Sequence, residues 1–303
     1  MIGAEQRPAA QAASASAGTR PPVQARVVVA LAGIMTFSLV VVFFGAFAFG
    51  LSGLQEQRSQ HELYQSFRGL LDPSSPIAPS IGGDITPGTP VALLNSSVAG
   101  LRSVVVVEGT SSTDLMAGPG HLRDSPLPGQ PGESILMGKS ATAGAPFSAI
   151  TRLHKGDLIK VTTGQGTFRF AVEDQRVAGD RLPALPKSGA LLTLITSTGS
   201  GWLSHLAPSH LVYVDAELQG KTVVAPQGVQ GVVPTAEIQG HGDPSSWVFV
   251  VFWLQALLLG SIATVWLWAR WGRWQSWLVA APVLFAILWG LSSEVLRLLP
   301  NVY

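Results

Sequence analysis

The chain has 303 residues, of which 47% are hydrophobic and only 12% charged; its formal net charge is +1 and it holds no cysteine. A charged fraction about half the roughly 25% usual in soluble domains puts part of the chain in lipid, and near-zero net charge gives a nucleic-acid partner no electrostatic footing. Without cysteine there are no disulfides, no thiolate metal sites and no thiol nucleophile.

In chain order, residues 1–26 are rich in Ala, Gln, Ser and Pro without periodicity and read as a disordered cytoplasmic tail. Residues 27–54 carry no charge, and their run "VVVALAGIMTFSLVVVFFGAFAFGL" exceeds the ~20 apolar residues that a bilayer core requires. The run is too long for the ~7–15-residue core of a signal peptide, so it predicts a retained transmembrane anchor. Arg20 and Arg26 before it and Glu56 after it place the tail in the cytoplasm.

Residues 55–90 form a polar stalk whose second half, "LLDPSSPIAPSIGGDITPGTP", is dominated by Pro and Gly. Over 91–225, short runs rich in Val, Ile, Thr and Phe alternate with Gly, Asp and Pro. They predict strands near 91–94, 103–108, 134–138, 158–163, 167–177, 191–196, 211–217 and 222–224, with a tight hairpin at "TTGQGTF" and a short helical turn within 147–153. The fold expected is mainly β: an eight-stranded, closed or nearly closed barrel.

A Gly/Val/Pro linker (226–246) leads to a second transmembrane helix (247–269), a loop "RWGRWQ" (270–275) and a third helix (276–298) that holds Pro282. Arg270 and Arg273 keep that loop cytoplasmic, in agreement with the first helix. The expected topology is thus in, out, in, out, a multi-pass protein of the cell membrane with its barrel extracytoplasmic. Trp247, Trp253, Trp271, Trp274 and Trp277 fit an aromatic interface belt.

The strand-to-turn stretch "GKSATAGAPF" (138–147) raises the question of chemistry. A phosphate loop needs four residues between its glycines, but Gly132 and Gly138 enclose five, "ESILM", that read as strand. The Ala/Gly/Pro residues after Ser140 cannot open the helix that would hold a phosphate. No nucleotide and no cofactor is expected. Only His205 and His210 lie close together among six histidines, with Pro208 between them, and they read as surface residues rather than metal ligands. No G-x-S-x-G elbow occurs.

Blocks in fixed order go further: "EGTS…DL..GPGH" (108–121), "LPGQPG" (127–132), "GAPFSAITRLHKGDLIKV" (144–161), "LTLITS" (192–197) and "HLVYVDAEL" (210–218). From about residue 90 to 218 the chain resembles the sortases, especially the class E type of high-GC Gram-positive bacteria. The resemblance implies an eight-stranded barrel facing the cell wall. It also implies a membrane-anchored transpeptidase that cuts a sorting signal at a cysteine and passes the acyl group to an amine. The departures fall at the chemistry. Lys139 stands where the family has its catalytic histidine, Ser197 where it has the cysteine, and His210 at the best match for its arginine.

A thiol of ordinary pKa ~8.5 can be lowered to a standing thiolate, whereas a serine hydroxyl needs a base within hydrogen-bond reach. Cysteine-type transpeptidation is therefore not expected. The reading is a pseudoenzyme of the cell envelope that binds an extended peptide or an envelope protein along its groove, with Lys139, Ser197, Thr198 and His210 as candidate contacts. Two alternatives stay open. Lys139 and Ser197 could form a Ser/Lys hydrolase or acyltransferase dyad if burial depresses the lysine, which the sequence does not indicate. The C-terminal helices, with Gly260, Ser261 and Ala263 for close packing, could instead carry a membrane-assembly role.

Overall fold

A computed structural model describes residues 25–72, 82–184, 186, 189–199, 210–225 and 233–302. The predicted tail up to residue 24, the stalk residues 73–81, the loop 200–209 with His205, and linker residues 226–232 lie outside the described residues.

The chain divides into two units, 1–41 and 42–303. Helix α1 (Ala25–Ala46) begins in the first, where its described side chains from Gly33 onward are almost all exposed and apolar, as a lipid-facing helix requires. In the second, a five-residue π-helical segment (Phe47–Leu51) follows and leads directly into α2 (Ser52–Leu71). The first half of the expected stalk is therefore a helix. Its buried or half-buried positions Ser52, Glu56, Gln60, Leu63 and Phe67 recur every three or four residues and define one face. Much of that face is polar. The Gln60 amide donates to Val105 O (3.0 Å) and Ala117 O (2.9 Å) and accepts from Val105 N–H (2.8 Å), fixing α2 to the barrel.

The barrel strands are β1 (Pro90–Ser96), β2 (Leu101–Glu108), β3 (Gly120–His121), β4 (Gly132–Met137), β5 (Leu158–Thr163), β6 (Gly166–Val177), β7 (Ala190–Thr198) and β8 (His210–Leu218). They close in the order β1-β2-β3-β4-β7-β8-β6-β5, with β1 paired to β5. Pairs β2–β3 and β4–β7 are parallel and the others antiparallel.

Eight strands form, but not the expected eight. Residues 222–224 add no strand, and Val223 makes a single bond to Gly129 O (2.9 Å). The remaining strand is the two-residue β3. The "TTGQGTF" hairpin joins β5 to β6 as expected, and Ile150–Arg152 is one 3-10 turn.

Period-two burial fills the interior with Phe168, Phe170 and Val172 from β6, Leu192 and Leu194 from β7, and Val214 and Ala216 from β8. Strand β7 is buried on both faces from Ala190 to Ser197, so its outer face must also be covered.

Helices α3 (Ser246–Trp271) and α4 (Arg273–Leu298) form an antiparallel pair joined by Gly272 alone. Among the described residues, three helical stretches, Gly33–Leu71, Ser246–Trp271 and Trp274–Leu298, are long and apolar enough to cross a bilayer. Pro282 lies inside α4 without ending it. The Trp253 ring lies where a Cβ on Gly290 would sit, 2.3 Å from its nearest atom, so this tryptophan packs the helix pair. Trp247, Trp271, Trp274 and Trp277 remain more than half exposed.

Candidate functional site

Strands β4 and β7 run in register from Gly132–Ala190 to Met137–Ile195. The pairing carries on beyond the last ladder step, since Gly138 N–H donates to Ile195 O (3.0 Å) and the Thr196 hydroxyl to Gly138 O (2.9 Å). Lys139 and Ser197 therefore leave neighbouring strand ends, each two residues past an outward-facing apolar side chain, Met137 or Ile195. On the other side of β7, Thr198 pairs with His210, which is exposed at the start of β8. All four sequence-predicted residues thus fall at one end of β4, β7 and β8.

The turn after Lys139 is pinned from two directions. Gly138 has no room for a side chain, because a Cβ there would sit 2.5 Å from the Phe147 ring. Ala143, Gly144 and Ala145 all take positive φ (49°, 70° and 49°), a conformation that costs an alanine about 1–2 kcal/mol. Contacts hold them there: Ala143 N–H donates to the Ser52 hydroxyl (3.1 Å), and Ala143 packs with Phe47, Ala48, Met116 and Leu296. Residues at the ends of the long apolar helices thus press on the very turn that presents Lys139.

Lys139 is 1% exposed, and its Nζ has no hydrogen-bond partner among the described residues. Burial favours the neutral amine and pulls its pKa down from 10.5 to about 8.

Ser197, also buried, donates its hydroxyl to the carbonyl of Val302 (2.6 Å), and its oxygen lies 2.8 Å from Ser140 Oγ. The Val302 side chain fills a cluster with Leu115, Met137, Ile195 and Tyr213, which covers the outer face of β7. Beside Ser197 a cavity of about 50 Å³ is lined by Ser140, Ser148, Thr151 and Thr198. That is room for a few water molecules and not for a peptide.

A second polar group was not singled out from the sequence. His121 Nδ1 lies 2.8 Å from Glu108 Oε2, and its Nε2 lies 3.2 Å from Ser125 Oγ. These residues line a cavity of about 200 Å³ together with Arg123 and Gln130. The order Ser, His, Glu resembles a catalytic relay, but the bonds are structural. Ser125 donates to Leu122 O (2.7 Å) and accepts from Ile135 N–H (3.2 Å), while Nε2 also lies 3.1 Å from Pro126 O. The trio ties the 121–126 loop to the barrel. Nearby, Arg123 pairs with the buried Glu237, whose carbonyl accepts from the Thr110 hydroxyl (2.7 Å).

Residues 98–217 match the family model described as Sortase domain. Sortase D of Bacillus subtilis (strain 168) is 32% identical over 72 residues, a match covering 24% of this chain and about a third (35%) of that relative's length. Among solved structures, the Clostridium perfringens Sortase D5 transpeptidase is 20% identical (TM-score 0.42; 54% of this chain and 99% of that one). Sortase E from Streptomyces avermitilis is 28% identical (TM-score 0.37; 45% and 91%). The match to the Sortase domain model takes in most of the closed eight-stranded barrel, including the β4 and β7 ends that carry Lys139 and Ser197.

Proposed function

We propose that this protein is a membrane-anchored, multi-pass envelope protein whose extracytoplasmic sortase barrel no longer transfers acyl groups and serves as a binding or scaffolding module for an extended peptide or an envelope protein. The observation that carries this reading is the state of the two strand ends. The chain holds no thiol; the Ser197 proton is donated to a backbone carbonyl; and the nearest expected base, Lys139, makes no hydrogen bond to it. A serine without a base in reach is not an activated nucleophile.

The topology has support from the barrel-side anchoring of the helices. Ser52 beyond α1, Asp243 just before α3 and Leu299 just after α4 all lie in segments bonded to the barrel or to one another, by Ala143 N–H to Ser52, Asp243 N–H to Arg297 O and Ser112 to Leu299 O. One side of the membrane for these three ends is what an in, out, in, out path requires.

The decisive assay mixes the purified full chain with an LPxTG-like donor peptide and a glycine amine and follows product by mass spectrometry. No ligation above background is expected, and product at rates well over background would overturn the reading.

The Ser/Lys reading has one observation in its favour: the buried Lys139 amine has a pKa of about 8, so a large fraction would be neutral and basic near that pH. It predicts that a fluorophosphonate labels Ser197 in the folded chain and that Lys139→Ala abolishes the labelling. For the membrane-assembly alternative, Gly260 faces Ile287 and Leu284 of this chain's own α4, which fits an anchor. Exchanging residues 247–298 for an unrelated helical hairpin is expected to preserve function.

A further inference from the structure

The covering of Ser197 comes from residues 299–302, which follow α4, and their contacts have the character of a bound peptide. Leu299 O accepts from the Ser112 hydroxyl (2.9 Å), and Asn301 N–H donates to His241 O (2.9 Å). The Asn301 side chain is fully buried and fully read. Its Nδ2 donates to Thr110 O (2.7 Å) and Ile238 O (3.2 Å), and its Oδ1 accepts from Gly240 N–H (2.9 Å). Val302, 1% exposed, fills the apolar pocket of Leu115, Met137, Ile195 and Tyr213 while its carbonyl takes hydroxyl protons from Ser197 (2.6 Å) and Ser140 (3.5 Å).

Two carbonyls and one N–H make a socket that matches a carboxamide and rejects a carboxylate, whose oxygens would face two acceptors. Next to it the apolar pocket takes a branched aliphatic side chain. We propose that residues 299–302 are a tethered occupant of the cleft over Ser197, and that the partner is an extended peptide with asparagine followed by a branched aliphatic residue, which binds by displacing them. This rests on the peptide-binding reading above and adds to it the ligand class and a built-in competitor. The tether keeps the occupant at an effective concentration on the order of millimolar, so a weak partner is excluded until the segment lets go.

Since the chain has no cysteine, Ser197→Cys gives a single-thiol probe of the cleft. In the full chain in detergent, its reaction with a methanethiosulfonate reagent is expected to be slow. Ending the chain after Leu298 is expected to speed it at least about tenfold, given that tether. Acetyl-LPNVY-amide added in trans is then expected to slow it again, whereas acetyl-LPDVY-amide is not. Equal rates with and without the segment, or equal protection by the two peptides, would overturn the proposal. A rate in the full chain that falls with protein concentration would assign the occupant to a second copy and overturn the tethered form. If the shortened chain loses its thermal transition, Val302→Asp in the full chain must raise the rate, and an unchanged rate overturns the proposal equally. Ligation product in the assay above would sink the functional reading while leaving this labelling pattern standing, so the two failures are distinguishable.

Discussion

Two buried polar groups lie on the same barrel and obey different rules. Around His121, the side chains of Glu108, His121 and Ser125 all have partners, and the network fixes a loop. At the end of β4, an amine is just as deeply buried and makes no hydrogen bond among the described residues. The first group is what a fold keeps because losing any member leaves a buried orphan. The second burdens the fold. A strand end that serves catalysis must hold a titratable side chain in a tight place, and on the reading proposed above the place has outlasted the chemistry. A titratable group buried without a partner at a strand end is the kind of arrangement that functional sites favour, whereas the satisfied trio holds a loop.

Four measurements sharpen or break this contrast. The largest loss of stability is expected from Glu108→Ala, which strands His121 Nδ1 inside the protein; a buried polar group left without its partner costs about 1–3 kcal/mol, read as a clear fall in Tm. No fall would mean the trio is not structural.

Lys139→Met should act in the opposite direction. A pKa lowered from 10.5 to about 8 means that the folded state resists the charged amine more than the unfolded state does. The penalty is full below pH 8, shrinks between pH 8 and 10.5, and is gone above. The variant is expected to gain up to about 3 kcal/mol at pH 7 and to lose that advantage above about pH 10.5. A pH-independent difference would contradict the buried amine.

Gln60→Ala removes three bonds between α2 and the backbone of Val105 and Ala117, and is expected to cost about 2 kcal/mol and to raise amide exchange at Val105. At the bottom of the scale, Lys155→Ala breaks an exposed pair with Glu173 and is expected to leave Tm unchanged.

The barrel was readable from the sequence wherever a strand was long enough to show its period. The β5–β6 hairpin announced itself through apolar alternation around "TTGQGTF". Strand β3 did not, since two residues have no period, and the β-branched composition of 222–224 imitated the missing eighth strand.

The docking of α2 was hidden for a different reason. Its contact stripe of Ser52, Glu56 and Gln60 is polar, so a search for apolar faces passes over it. At the site, Lys139 and Ser197 are marked in the sequence by the family blocks, but their burial is not, because the segments packed there are remote in sequence: Phe47, Ser52 and Leu296 meet Ala143 in the turn after Lys139, and Val302 covers Ser197. The amide socket for Asn301 is built largely from backbone groups of residues 110, 238 and 240, which carry no side-chain signature at all.

The single glycine between α3 and α4 has a mechanical consequence. With Trp271 and Arg273 one residue apart and Trp253 seated on Gly290 further along, neither helix can slide past the other like a piston. A pull on the bilayer side is passed to both rods together, so the strap emerging from the second rod is withdrawn only when the whole hairpin shifts or when the strap itself peels.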